Sequence, residues 1–123
     1  MKKKKIRVGV IYGGQSTEHE VSLQSAENVI AALDKEKYEV VRILINKKGG
    51  WEWENDLPID VAFPILHGPL GEDGTMQGFL KLMGIPFVGP SVLGSAIGMD
   101  KDVQKRLLRN ADIPIAKFLT VRS

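Results

Sequence analysis

The run Ile6 to Tyr12 (IRVGVIY), which ends in Gly13-Gly14 and is followed within a few residues by a helical pattern, constrains the fold more than any other feature. A nearly unbroken apolar, β-branched run reads as a strand buried on both faces, so the fold must cover it from two sides. Behind the glycines, Leu23, Ala26, Val29, Ile30 and Leu33 recur on one helical stripe, while Gln24, Glu27 and Asn28 face elsewhere. Strand, glycine loop and helix together open an alternating α/β chain.

The rest of the sequence continues the alternation. Tyr38 to Ile45 (YEVVRILI) predicts a second strand, and Asn46 to Gly50 carries turn chemistry. WEWEN predicts a short extra strand with Trp51 and Trp53 as packing residues. Val61 to Leu66 (VAFPIL) is another strand, in which Pro64 removes one ladder donor and so predicts an edge position or the strand's end. A helix follows, with Asp73 as N-cap, Met76, Phe79, Leu80 and Met83 on one face, and Gly84 then Pro86 as the stop. Ile85 to Val88 predicts a short strand, Ser91 to Met99 and Asp100 to Asn110 two helical segments, and Lys117 to Val121 a last strand. The expected fold is α/β, a doubly wound, Rossmann-like parallel sheet of about four or five strands. Ligands of such sheets gather at the carboxyl ends of the strands, where two loops lie: Gly13 to Glu20 and His67 to Gly74.

At 123 residues and 43% hydrophobic composition, the chain fits one domain with its own core, residues 1–123. It contains no cysteine, which excludes a disulfide framework, a thiolate metal site and a cysteine nucleophile, and fits a reducing compartment. The formal charge of +2 misleads: four of the 17 basic residues form the run Lys2 to Lys5, leaving 13 against 15 acidic residues in the body. No nucleic-acid-binding face is expected from that balance, and the terminal run reads as a solvated tail. No stretch has the length of a membrane span, and the apolar run behind the lysines is too short and lacks a small-residue cleavage site for a signal peptide.

Gly13-Gly14 matches neither the P-loop nor the dinucleotide fingerprint, and Glu18 and Glu20 in the same loop would repel a phosphate. Two readings stay open. The acids can complement a helix start capped by Ser16 or Thr17, or a carboxylate there can hold a cationic group such as an ammonium. His67, in LHG just past a strand, either bonds the loop backbone or faces a ligand; His19 is the weaker candidate. No metal is expected, since two histidines and scattered carboxylates lack zinc spacing, and GEDGT (71–75) has too few alternating oxygens for calcium. Glu72 and Asp73 read as capping and dipole partners. Lys101 in MDK stands in the first turn of a helix, where a cation is slightly disfavoured, which leaves room for a functional role. Ser16 and Ser22 have no histidine and acid at readable triad positions, so a hydrolase gains no support.

Three stretches in order, YGGQSTEHEVSLQSA, PILHGPLGEDGTMQGFLKLMGIPFVG and SAIGMDKDVQKRLLRNADIPIA, together resemble the amino-terminal portion of D-alanine:D-alanine ligases of the ATP-grasp class and cover about half the chain. The resemblance implies a pre-ATP-grasp domain, with about 116–123 starting the connection to the ATP-grasp domains that family members carry beyond it. It implies ATP-dependent formation of the D-Ala-D-Ala dipeptide for peptidoglycan through an acyl phosphate, with ATP and Mg²⁺ bound mainly by those other domains. Glu18 then corresponds to the family carboxylate that holds the ammonium of the first D-alanine. Val21 and Ser22 line the same site, His67 approaches the substrate's carboxyl end, and Lys101 is a basic residue on the nucleotide side. A cytoplasmic enzyme and a homodimer are implied as well. The chain alone is expected to be inactive, and WEWENDLPID (51–60) is shorter than the excursion many relatives carry. Two other readings remain: a non-catalytic module that binds an amino acid or a partner, and part of a ligase that uses D-lactate or D-serine.

Overall fold

The computed structural model describes residues 4–53 and 58–122. Lys2 and Lys3 of the terminal run, and residues 54–57 of the compressed stretch, lie outside the described residues. Strand β1 (Ile6–Gly13) leads into helix α1 (His19–Ala32), then β2 (Tyr38–Ile45), β3 (Trp51–Trp53) and β4 (Val61–Leu66). Helices α2 (Thr75–Leu82), α3 (Val92–Met99) and α4 (Lys101–Asn110) follow.

The four strands form one sheet in the order β3-β2-β1-β4, so the apolar run that opened the chain is central. β1 pairs in parallel with β2 on one side and with β4 on the other. The short WEW strand runs antiparallel to β2, pairing Trp51 with Ile45 and Trp53 with Ile43, which makes the sheet mixed rather than wholly parallel. Pro64 sits on β4, at the end of the strand order, as its missing N–H requires.

Alternating residues send the sheet's side chains to two cores. Val8 and Val10 pack with Ala26 and Ile30 of α1, and Phe63 and Ile65 flank that cluster. On the opposite face Ile11, Val41, Ile43, Ile45, Ala62 and Leu66 pack with Met76 and Leu80 of α2. The sheet is therefore doubly wound, with period-2 strands and period-3.6 helices meeting on each side. Burial of one such side chain, Leu80 for instance, contributes roughly 1.5–3 kcal/mol.

Four local expectations are corrected. Ile85 to Val88 forms no strand; Phe87 makes a single parallel bridge with Ala62, because Pro86 interrupts the donors on that side. Lys117 to Val121 is extended but unpaired, lying along α4 instead of a sheet edge. The residue before α2 is Gly74, in the left-handed region at φ +98°, and Asp73 stands one place earlier, accepting N–H groups from Leu70 and Thr75, each at 3.0 Å. The N-cap of α1 is Glu18, without a capping side chain, while Ser16 Oγ accepts the N–H of Glu18 at 3.0 Å.

Ser91 and Asp100 do cap α3 and α4, accepting from Gly94 and Val103. Among the described residues no helix is long and apolar enough to cross a membrane.

Candidate functional site

From β1 the chain passes through α1 to β2 on one side, then crosses to β4 on the other. The loops that leave the carboxyl ends of β1 and β4 are thus neighbours at the point where winding reverses, the position at which open α/β sheets place ligands.

The first loop is held tightly from below. Gly13 and Gly14 have φ of +92° and +93°, a left-handed pair that side chains rarely adopt. Ser22, fully buried on α1, accepts the N–H of Gly13 at 2.8 Å and donates to the carbonyl of Ile65 on β4. One hydroxyl thus ties the end of β1, the first turns of α1 and the end of β4. His19, also buried, places Nδ1 2.6 Å from the carbonyl of Gly14 and so braces the same turn.

These two contacts explain why Glu18 stands where it does. With the turn fixed and Ser16 Oγ engaged by the Glu18 N–H, the Glu18 side chain projects over the second loop. A methyl group on Gly68 would lie 3.1 Å from Glu18 Oε2 and 2.6 Å from Ser16 Oγ, so the two loops are in close packing. Gly68 itself has φ +75°, which a side chain would oppose a second time.

His67 precedes that glycine. Its Nε2 lies 3.3 Å from Ser25 Oγ of α1, and its Nδ1 lies 3.4 Å from Glu72 Oε1. Glu72 turns its other oxygen to the N–H of Gly68 at 3.0 Å. A cavity of about 210 Å³ opens beside the loops, with Ser16, His67, Leu70, Met76 and Phe79 in its wall; Glu18 is not part of that wall.

Of the five residues singled out in the sequence, Glu18, Ser22 and His67 converge on this corner. Val21 is on the first turns of α1 and 56% exposed, so its side chain is available to a ligand. Lys101 stands elsewhere, at the start of α4, donating to the carbonyl of Gly98 at 3.3 Å and lying with Asp102, Lys105 and Phe118 to Val121 around a shallow groove. Glu20 points away and pairs with Lys47 at 3.2 Å.

Sequence reasoning missed Ser25 and Glu72 as partners of His67. For Ser25 a signal existed: it is three residues after Ser22 and hence on the same face of the helix. Among the described residues no group of three or more His, Cys, Asp or Glu side chains is disposed to hold a metal ion.

The pattern of the D-Ala D-Ala ligase N-terminus matches this chain in two overlapping segments, residues 7–58 and 52–90. A D-alanine–D-alanine ligase of Solibacter usitatus is 49% identical over 124 residues, covering 95% of this chain and 38% of that protein. A D-alanine–D-alanine ligase A of Chromobacterium violaceum is 45% identical over 159 residues, covering 95% of this chain and 43% of the relative. The second relative thus carries additional residues that the first all but lacks, and the break in the family match falls at the link between β3 and β4.

Among solved structures, the D-alanine-D-alanine ligase of Coxiella burnetii superposes with a TM-score of 0.88 at 34% identity, covering 94% of this chain and 44% of that one. A D-Ala:D-Ser ligase of Enterococcus faecalis gives 0.87 at 33% identity, covering 93% and 44%. A Bacillus anthracis D-alanine–D-alanine ligase complexed with ATP gives 0.75 at 41% identity, covering 89% and 36%. The chain spans about two fifths of the length of the relatives it matches. It belongs to the family of D-alanine–D-alanine ligase amino-terminal domains.

Proposed function

We propose that this chain supplies the first-substrate side of a D-alanine:D-alanine ligase. The complete enzyme transfers the terminal phosphoryl group of ATP to the carboxylate of one D-alanine, and the amine of a second displaces phosphate to give the dipeptide for the cell wall. The observation that carries this reading is the convergence of Glu18 and His67, from two loops of the family's motifs, at the carboxyl ends of adjacent parallel strands.

Each residue then has a physical task. Glu18 binds the first D-alanine's ammonium by a charge-assisted hydrogen bond, and Val21 offers the apolar wall beside it. His67 faces the carboxyl end. Ser22 acts through the backbone, since its hydroxyl is committed to Gly13 and Ile65. These contributions are orientation and charge compensation, with no protein nucleophile.

Lys101 contributes a single cation toward the nucleotide, and the remaining contacts to ATP belong to the ligase's other domains, as does Mg²⁺. The described residues of this chain offer no ligand cluster that fits the metal. A cytoplasmic setting follows from a reaction that uses ATP and feeds wall synthesis from inside. A homodimer is the assembly proposed.

Combining the chain with the remaining domains of a family ligase and following D-alanine-dependent ADP release tests the proposal. Release is expected, and Glu18→Gln should raise the KM for the first D-alanine by about 10- to 100-fold, the loss of one hydrogen bond to a charged group. Its stability should change little, because an exposed loop acid is replaced. Absence of ADP release in a well-folded assembly counts against the proposal, and unchanged kinetics removes Glu18 from the site.

The near-equal match to a D-Ala:D-Ser ligase favours one second reading, that the second substrate is not D-alanine. Competition among D-alanine, D-serine and D-lactate in the assembled enzyme decides it.

A further inference from the structure

His67 is held from two sides by side chains that the roles above do not employ. Glu72 Oε1 lies 3.4 Å from Nδ1, and Ser25 Oγ lies 3.3 Å from Nε2. We propose that Glu72 and Ser25 are positioning residues that fix which nitrogen of His67 carries the proton, with N–H at Nδ1 toward Glu72 and the lone pair of Nε2 toward the Ser25 hydroxyl.

A neutral imidazole has one N–H and one lone pair, and its neighbours decide which nitrogen carries each. An ionised carboxylate can only accept. A backbone N–H can only donate, and Gly68 N–H already occupies Glu72 Oε2 at 3.0 Å, so the carboxylate is anchored with Oε1 left for the ring. The hydroxyl of Ser25 can donate or accept, and it therefore adapts. Glu72 sets the tautomer and Ser25 completes it.

The three groups come from separate parts of the fold. Ser25 stands in the middle of α1, His67 directly after β4, and Glu72 in the turn before α2. Ser25 hydrogen-bonds one ring nitrogen and Glu72 lies within ion-pair distance of the other, yet the His67 side chain stays 28% exposed, so it remains open to a ligand. The other carboxylate at this corner is that of Glu18, whose Oε2 would lie 3.1 Å from a methyl group on Gly68.

The same order of groups occurs in Ser-His-acid hydrolases. That reading fails here, because the N–H groups flanking Ser25 are engaged inside the helix and leave no donors for an oxyanion.

The inference deepens the proposed role of His67, on which its functional consequence rests. With Nδ1 directed at Glu72 and Nε2 at Ser25, the ring is already oriented when a substrate carboxylate approaches.

Ring-nitrogen NMR tests this on the chain itself, which has only two histidines to resolve. At pH 8.5, where an ordinary imidazole is neutral, His67 is expected in the Nδ1–H form, the minority tautomer of a free histidine side chain. A dominant Nε2–H form in the wild-type chain overturns the proposal without any variant.

Glu72→Gln should invert the tautomer. Its amide oxygen must accept Gly68 N–H, which turns the NH₂ group toward Nδ1 and moves the ring proton to Nε2. Glu72→Asp and Ser25→Ala should both retain Nδ1–H, the second with a shifted Nε2 resonance. Retention of Nδ1–H in a folded Glu72→Gln chain, or its loss in Ser25→Ala, overturns the assignment. Titration of the assembled enzyme with D-alanine is a separate arm: if it perturbs neither Glu18 nor His67, the proposed function fails while the tautomer result stands.

Discussion

Ser22 and Gly68 lie beneath the two loops, and each is restricted by a different cost. Replacing Ser22 with alanine removes the acceptor of a buried backbone N–H and the donor to Ile65 at a fully buried position. The expected loss is about 1–3 kcal/mol, read as a lower urea midpoint with an unchanged slope. Gly68→Ala meets two penalties together. Its φ of +75° costs a side chain roughly 1–2 kcal/mol, and the new methyl collides with Ser16 and the Glu18 carboxylate. Beyond the stability loss, the Glu18 side chain should move, so D-alanine-induced shifts at Glu18 should vanish in Gly68→Ala yet persist in Ser25→Ala. Equal shifts in both variants would mean that Glu18 does not depend on the second loop. His19, the weaker of the two histidines in the sequence, proves to be the brace of Gly14, because burial beside a glycine turn depends on contacts that periodicity does not carry.

At the scale of elements, what could be read from the sequence was whatever a repeating pattern enforces. β1, β2 and β4 follow from short apolar, β-branched runs bounded by turn residues, and α1 and α2 from an apolar stripe of period 3.6, since each element must bury one or two faces. Lys117 to Val121 has the composition of a strand without a partner: a ladder needs a neighbour, and this segment lies instead on α4. There Phe118 sits under Lys105 and Arg109, with the charges 5.4 and 5.6 Å from its ring centre, and Thr120 donates to Asp102 at 2.5 Å. Glu72 reads as a helix-start acid but bonds the loop N–H of Gly68, whereas Asp73 divides its carboxylate between the loop N–H of Leu70 and the N–H of Thr75, the first residue of α2. The convergence of Glu18 and His67 needed the family resemblance, for nothing in either loop alone says that their strands are neighbours.

Thr120 first, then Arg106, hold the Asp102 carboxyl below the ordinary aspartate range, and the hydroxyl and N–H of Thr75 do the same for Asp73. A folded pKa below the unfolded value of about 3.9 means stability that is fully present above that value and is lost as pH falls through the folded one. The Thr120 resonances should therefore stay constant from neutral pH down to about 4–5 and move below it as the tail leaves α4. In Asp102→Asn that movement should be absent; its persistence would place the tail's anchor elsewhere, in the Phe118 contacts.

For the whole molecule, the decisive fact is that one strand serves both cores. Val8 and Val10 point to α1 while Ile11 points to α2, so neither layer can dissolve without stripping cover from β1. The α2 side is the less enclosed, because Trp51, Trp53, Phe79 and Met83 line an apolar groove over Ile11 and Ile43 that remains open to solvent. Two outcomes are physically distinct. If β1 couples the faces, the chain unfolds as one unit, and tryptophan fluorescence, which reports from β3, coincides with far-UV circular dichroism, which reports chiefly from the helices. If the open side melts alone, fluorescence changes at lower urea. Coupling is expected, because the α2-side cluster includes buried side chains of β1, β2 and β4 as well as of α2. Leu80→Ala, at a side chain only 1% exposed, sharpens the test. It should cost about 2–5 kcal/mol, a large share of the roughly 5–15 kcal/mol that holds a domain folded. Both signals should shift by the same amount; a shift confined to fluorescence would show that the glycine loop between β1 and α1 stands on a layer stable without its partner.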